Sequence, residues 1–557
     1  MLLLALACGI LASVLTFNTA KARPNTTRAY PPSSWILGPW VGWIGSEHAI
    51  NKILDGYAQY AIPATVFHFD WYTWQTCPGS AAFKFSDALL QRLQSQQMRA
   101  VFWYVPLIDL SCPDYGFAQS NHYFVEDANG NPIVTQNFTG HGSWIDFNNP
   151  AAVQWLHAKW DALLARTTVN GVQVTGGFYI DNVRPDLSGD NGTAYAEAYA
   201  RDVLEYTRAH IPDGDVVMKH FGSNNPGIPF LTQYAHTAYV GDEPTNFAGM
   251  SAGIQNVFQL TNVLPGPFNE FTGNAYSKPD SETYIRRLHW GALQVVMDNS
   301  PAQKDFPWQS DYSPQVLQAY QFYSTLHWEL LPYLYSYDEA AYENNTPILM
   351  SPNTSQQSVL LGNQIFAKFV TAYVSNVSFT LPRGTWINFW NENQMYQGPV
   401  QINQSVPLGR EPIWIKLGAI IPMQVRDKTT GDGSNASVGA LTVRVYPYQN
   451  SSFQYFDARN GWVTFQASKG KKGLVLCTTG AAPSQPLIYK IALWSVKPRG
   501  VSIQNGAVGV NQSWGSALPK LQSAKAVQAS SGGWYYDSTP QQLWVKVMQP
   551  GTDCPTN

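Results

Sequence analysis

The sequence predicts an α/β protein: a (β/α)8 TIM barrel followed by two C-terminal β-sandwich domains. Three observations carry this. At 557 residues the chain is too long for a single hydrophobic core. From about residue 35 to 350, short continuous apolar runs alternate with stretches of helical period, as expected of parallel strands covered on both faces by helices. After about 355, short alternating runs bounded by Gly, Pro and Asn take over, the texture of sandwiches. The expected division is 31–350 for the barrel, 351–427 for a proximal sandwich and 428–557 for a distal one, with the break at RDKTTGDGSNAS (426–437).

Taken in order, ATVFHFD (64–70) reads as a buried strand. FSDALLQRLQSQQ follows it, with Ser86-Asp87 as a helix start and apolar residues at helical spacing. MRAVFWYV (98–105) is the next strand, and SWIDFNNP leads into the amphipathic helix AAVQWLHAKWDALLAR. GGFYID (176–181) is read as a strand, AYAEAYARDVLEYTRAH as a helix, and DVVMKHF (215–221), HTAYVGD (236–242) and GALQVVMD (291–298) as further strands. Beyond 355 no helix is expected, and SVLLGNQIFAKFV, VSFTLPRGTWINFW and EPIWIKLGAIIP read as sheet.

The N-terminus, MLLLALACGILASVLTFNTAKA, has an apolar stretch ending in Ala20-Lys21-Ala22 and predicts a signal peptide over 1–22, hence a secreted or secretory-lumen protein; its lack of a positive n-region leaves a short membrane anchor as the alternative. Sequons at Asn25, Asn137, Asn191, Asn344, Asn353, Asn376, Asn403, Asn435, Asn450 and Asn511 fit export and a glycoprotein. Past the leader, Cys77, Cys112, Cys477 and Cys554 form an even set, which outside the cytosol suggests two disulfides. Pairing Cys77 with Cys112 and Cys477 with Cys554 closes the shorter loops. With no CxxC or His/Cys cluster, no metal and no cofactor are expected. Net charge is −3, so no basic field exists to attract nucleic acid or an acidic membrane, and no membrane association is expected after leader cleavage. Aromatics reach 14%, enough for large cores or for ring faces that stack on sugars.

Several expected strands end in a carboxylate: Asp70, Asp181, Asp242 and Asp298. In a parallel barrel the C-terminal strand ends open onto the active site. A single strand-end Asp is more often a helix cap or half of an ion pair. Several at one mouth cost free energy through like-charge repulsion unless chemistry uses them. Two carboxylates across one cleft are the apparatus of glycoside hydrolysis, one acting on the anomeric centre and one protonating the leaving oxygen.

Six segments of the chain resemble glycoside hydrolase family 31, the α-glucosidase and α-xylosidase group. GFYIDNVRP resembles the family's W-x-D-M-N-E-P, which implies Asp181 as nucleophile; YVGDEPTNF resembles W-[ST]-G-D-x-x-S-x-W, which implies Asp242 as acid/base. IDFNNP is similar to D-F-[TN]-N-P. LLPYLYSYDEAAYENNTPIL resembles the helix closing the family's barrel, LPRGTWINFW and PIWIKLGAIIP its first sandwich, and VRVYPYQNSSFQYFD the start of its distal one. The resemblance implies a retaining α-glycosidase acting on an α-glucoside or related hexoside or xyloside, through a covalent glycosyl-enzyme, with an oligosaccharide, polysaccharide or glycoside as partner. Retaining geometry implies carboxyls about 5–5.5 Å apart.

The chain also departs from that pattern. Val105 stands where the family has Asp before the proline, and Lys219 or His220 where it has Arg. Arg184 replaces a Glu, and Asp298-Asn299-Ser300 replaces R-N-H. The family's usual N-terminal β-sandwich has no counterpart ahead of the barrel, as in a compact, divergent member or a chain incomplete at its front. Expected sugar contacts are Asp70, Trp71, Trp103, Lys219, His220 and Asp298; Trp74 is a further platform, each Trp being equally suited to core packing. His68 and His236 read as core or supporting groups, and Glu243 is the rival to Asp242 as proton donor. Transglycosylation by the same chemistry, a catalytically silent carbohydrate-binding homologue and, remotely, a lyase are the alternatives.

Overall fold

The computed structural model describes residues 31–555 apart from 44–45, 70–76, 78–84, 137–140, 165–168, 175–191, 212, 220–236, 242, 262–263, 272–277, 300–305, 309–310, 353–356, 434–438, 472 and 496. Local sequence sets the helix starts. Ser46 opens α1 (Glu47–Gln59) and Ser86 opens α2 (Asp87–Ser95), each side chain accepting from the N–H three residues on, one of the donors a helix start leaves without a partner. Ile50, Ile53, Leu54 and Tyr57 in α1, and Leu89, Leu90 and Leu93 in α2, form the buried stripes. The IDFNNP segment serves the same end for α3 (Pro150–Leu164). Asn149 Oδ1 accepts from Ala151 N at 3.0 Å, and Pro150 takes a first-turn position that needs no N–H. The remaining barrel helices are α4 (Gly192–His210), α5 (Phe247–Leu260), α6 (Ser281–Ala292), α7 (Pro314–Glu329) and α8 (Leu331–Asn344).

Eight strands form one parallel sheet: β1 (Pro39–Trp43), β2 (Val66–Phe69), β3 (Arg99–Tyr104), β4 (Val169–Val174), β5 (Asp215–Lys219), β6 (Thr237–Tyr239), β7 (Gly266–Phe268) and β8 (Met297–Asn299). Their order is β7-β6-β5-β4-β3-β2-β1-β8. The two ends of that order meet where Phe271 N–H donates to the Asp298 carbonyl at 3.1 Å, which closes the ring and protects its edges.

Register and ring contacts define the two faces. Trp40 meets His68 edge-on at 6.0 Å and Phe268, on β7, at 5.8 Å, so these three fill the lumen. Asp298 lies in register with Trp40 and shares its face. Phe69 stacks on Phe102 at 4.7 Å and packs on Phe85 beside α2, on the opposite, helix-covered face.

The observed strands correct several expectations. β1 (PWVGW) and β7 (GPF) fall outside the expected runs because their Gly and Pro read as turns. Val66–Phe69 is therefore the second strand, not the first. A fourth strand is described over VNGVQV, which was not among the expected runs; the expected strand GGFYID (176–181) lies outside the described residues. In GALQVVMD, Gly291 and Ala292 end α6 and the strand begins only at Met297.

Beyond the barrel, a six-stranded antiparallel sheet runs in the order 349–350, 358–361, 365–368, 413–416, 376–388 and 391–405. Its apolar runs are buried on both faces. Ile365, Ile387, Ile413 and Ile415 join the main core, while Phe366, Trp386 and Trp414 build a second one with Phe379, Leu381 and Ile402. Two further sheets, of five and six strands, follow. Ile420–Met423 precedes the expected break at 426–437, yet it pairs with Leu441–Val445 after it and belongs to the five-stranded distal sheet. That sheet also holds one parallel pair, Leu441–Val445 with Leu487–Ile491, and a short helix, Ala524–Ala529, occurs where none was expected. Both expected disulfides are present, Cys77–Cys112 and Cys477–Cys554, with Cα separations of 5.5 and 5.3 Å. Among the described residues no helix is long and apolar enough to cross a membrane.

Candidate active site

The mouth of the barrel is the rim on which β6, β7 and β8 end. Asp70, Trp71, Trp74, Asp181, Arg184, His220, His236 and Asp242 lie outside the described residues. So does the Lys219 side chain, although Lys219 closes β5 and its backbone pairs with Tyr239. Trp103, two residues after Val101 (the register partner of His68), shares the lumen face and is 4% exposed. Asp298 shares that face at the end of β8 and is buried. Its neighbour Asn299 points the other way, donating to Tyr57 of α1 at 3.4 Å and to Tyr320 of α7. His68 packs on Trp40 within the lumen, the core position expected of it.

Around position 242 the geometry is well defined on both flanks. Asn269, just past β7, directs its amide NH₂ at two acceptors: the Gly241 carbonyl at 3.1 Å and Glu243 Oε2. Because both partners only accept, the amide orientation is fixed by chemistry. Asn256 of α5 donates to the other oxygen, Glu243 Oε1, at 2.7 Å. Arg287 of α6 is buried and donates to the Pro244 and Asn246 carbonyls and to Phe271 O. Burial pushes its guanidinium down to about 10, and the Glu243 and Glu270 carboxylates pull it up; it stays charged at neutral pH. Asn246 in turn caps α5 by accepting from Gly249 N at 2.9 Å.

This assembly orients Glu243. It is 8% exposed, and both carboxylate oxygens accept side-chain amides. Glu243 therefore lies in the wall of the mouth, oriented by Asn256 and Asn269.

One carboxylate escaped the sequence reading. Glu270, two residues past the lumen-facing Phe268, accepts from Tyr239 OH at 3.0 Å and is 5% exposed. Its signal was GPFNEF (266–271), a strand ending on Asn-Glu, hidden because Gly and Pro disguised the strand. Among the described residues no group of three or more His, Cys, Asp or Glu side chains is placed to hold a metal ion.

Comparison with known proteins extends the picture. The profile of the glycosyl hydrolases family 31 TIM-barrel domain matches residues 29–337, and that of the family's C-terminal domain matches 330–421. An isomaltosyltransferase of Sporosarcina globispora is 24% identical, covering 92% of this chain and 51% of its own. An alpha-xylosidase of Lactiplantibacillus pentosus is 22% identical over 76% of this chain and 58% of its own. Among solved structures, the cycloalternan-forming enzyme of Listeria monocytogenes with a pentasaccharide substrate has a TM-score of 0.79 at 19% identity, covering 95% of this chain and 54% of that one. A Flavobacterium johnsoniae dextranase with isomaltotriose has a TM-score of 0.77 at 16% identity, covering 93% and 70%. The chain spans about half the length of the curated relatives it matches. With the barrel profile covering more than half of its residues, this chain belongs to glycoside hydrolase family 31.

Proposed function

We propose that this chain is an exported, retaining α-glycosidase acting on α-linked glucosides, with Asp181 as nucleophile and Asp242 as acid/base. The observation that carries the reading is the fixed frame holding Gly241 and Glu243 on either side of position 242, at the mouth of a family 31 barrel. A proton donor must sit within hydrogen-bond reach of the leaving oxygen, which demands a backbone that does not drift.

In the first step Asp181 forms a bond to the anomeric carbon as the bond to the leaving oxygen breaks, and Asp242 gives that oxygen its proton. In the second, water attacks the anomeric carbon, Asp242 takes a proton from it, and the Asp181 ester bond breaks. The cycle needs Asp181 ionised and Asp242 able to hold a proton at working pH.

Transfer to a sugar hydroxyl in place of water is the second reading. It is supported by relatives named as an isomaltosyltransferase and a 1,6-alpha-glucosyltransferase; with the dextranase–isomaltotriose likeness, these favour α-1,6-linked glucosides as substrates. Export is supported by the leader-like N-terminus and by two disulfides.

The test is to incubate the chain with isomaltose, isomaltotriose and p-nitrophenyl α-glucoside and α-xyloside, and to follow products by chromatography and anomeric NMR. Release with retained α-configuration is expected, lost by about 10⁴-fold or more in Asp181→Asn. Products longer than the substrate indicate transfer. No release from any substrate, with isomaltotriose still bound, would overturn the reading in favour of a silent binding protein.

A further inference from the structure

The amide that donates to both flanks of position 242 belongs to Asn269, 27 residues further along the chain, and its backbone is itself held on both sides. Gln294, just ahead of β8, grips both backbone groups of Asn269: Asn269 N donates to Gln294 Oε1 at 2.7 Å, and Gln294 Nε2 donates to Asn269 O at 2.9 Å. Both residues are essentially inaccessible, at 1% and 0%. A single buried amide thus fixes the position from which the Asn269 side chain reaches Gly241 O and Glu243 Oε2.

The surrounding sequence makes room for this arrangement. A Cβ at Gly253 of α5 would stand 2.7 Å from Asn269 Oδ1, and one at Gly249 would stand 1.9 Å from Pro244 O. Both positions lie on the face of α5 turned toward the 241–246 segment. With Asn256 on Glu243 and Arg287 on the carbonyls of 244 and 246, elements from β7, α5 and α6 converge on one short stretch of backbone. Such convergence costs ordering entropy and buried polar groups. The flanking residues Gly241 and Glu243 are both held by Asn269.

We infer that Asn269 and Glu243 are positioning residues for the proton donor, fixing the backbone on both sides of Asp242 so that its carboxyl meets the leaving oxygen. The inference rests on the assignment of Asp242 made above. Asn269 acts through Gly241 and Glu243 and touches no substrate atom. Losing its two donated bonds lets the backbone at 242 shift, and a displacement near 1 Å at a reacting group costs about 10²-fold in rate. That loss falls on the two proton transfers of Asp242, donation to the leaving oxygen and abstraction from the incoming water, of which kcat/KM reads only the first.

The experiment compares two substrates that differ in their need for an acid. Isomaltose requires a proton on its leaving oxygen; α-glucosyl fluoride releases fluoride without one. In Asn269→Asp, which keeps the shape but puts an acceptor against two acceptors, kcat/KM for isomaltose should fall about 10²-fold, while that for the fluoride falls by less than about 5-fold. Gly253→Ala, which pushes on Asn269 Oδ1 without removing any hydrogen-bonding group, should give a weaker effect of the same selectivity. It is the variant to read if Asn269→Asp does not fold. Equal losses on both substrates, or none on either, overturn the positioning role. Asp242→Asn is run alongside: if it keeps wild-type turnover of isomaltose, the donor assignment itself fails, whatever Asn269 does.

Discussion

Glu329 makes the stability of this protein depend on pH in a direction that can be worked out in advance. It is the last residue of α7 and is fully buried. Its Oε1 accepts from Arg426 N at 3.2 Å, and its Oε2 takes the Thr430 hydroxyl at 2.5 Å, so it anchors the distal loop to the barrel. Burial foremost, and then the negative charge of Asp432, pushes its carboxyl up to about 8, against the pull of the Thr430 and Arg426 hydrogen bonds. The folded protein therefore holds a proton that the unfolded chain releases near 4.5. Stability from this group is complete below about 4.5 and is lost as pH rises toward about 8. The gap between those values sets a ceiling of about 5 kcal/mol. Glu329→Gln is neutral at every pH and keeps an acceptor for Arg426 N and a group for Thr430. Urea denaturation followed by tryptophan fluorescence, run on both proteins at pH 4.5 and 8.5, isolates the effect because other titrations cancel in the difference. Near-equal stability at pH 4.5 and a variant more stable by several kcal/mol at pH 8.5 are expected. A difference that does not change with pH, or that grows toward acid, would refute the reasoning.

Two more outcomes follow from buried contacts. Arg286 of α6 reaches Glu411 at 3.1 Å and the carbonyls of Val374 and Val406, with Tyr323 donating to the same carboxylate. Arg286→Met strands Glu411 at 0% exposure and should cost about 3–5 kcal/mol in calorimetric or denaturant unfolding, a loss below about 1 kcal/mol contradicting the account. Gly249→Ala drives a Cβ to 1.9 Å from the Pro244 carbonyl oxygen. Because backbone rather than a flexible tip must yield, both the unfolding temperature and kcat/KM on isomaltose should fall, and unchanged values for both would count against the frame.

What the sequence by itself determined is whatever depends on neighbours in the chain. Ser86 and Asn149 announce helix starts because their side chains bond N–H groups two or three residues away. The stripe of Leu89, Leu90 and Leu93 faces the core because 3.6-residue periodicity is a local property. The alternation of strands and helices sufficed for the barrel, and Cys77, Cys112, Cys477 and Cys554 pair as loop length suggested. Asp181 and Asp242 were legible only as residues following apolar runs within motifs that resemble a family's.

Only the tertiary structure decided what through-space neighbours impose. PWVGW and GPF become strands because closing a ring requires them, overriding the turn preference of Gly and Pro. Ile420–Met423 joins the distal sheet because its partner strand lies across a polar loop. Glu243 reads in sequence only as an acid beside Asp242; the fold shows Asn269, 26 residues on, and Asn256 each donating to one of its oxygens. A carboxylate carries no mark in sequence of what it will face. Its role is set by the donors and charges within a few ångströms, and folding draws those from β7, α5 and α6.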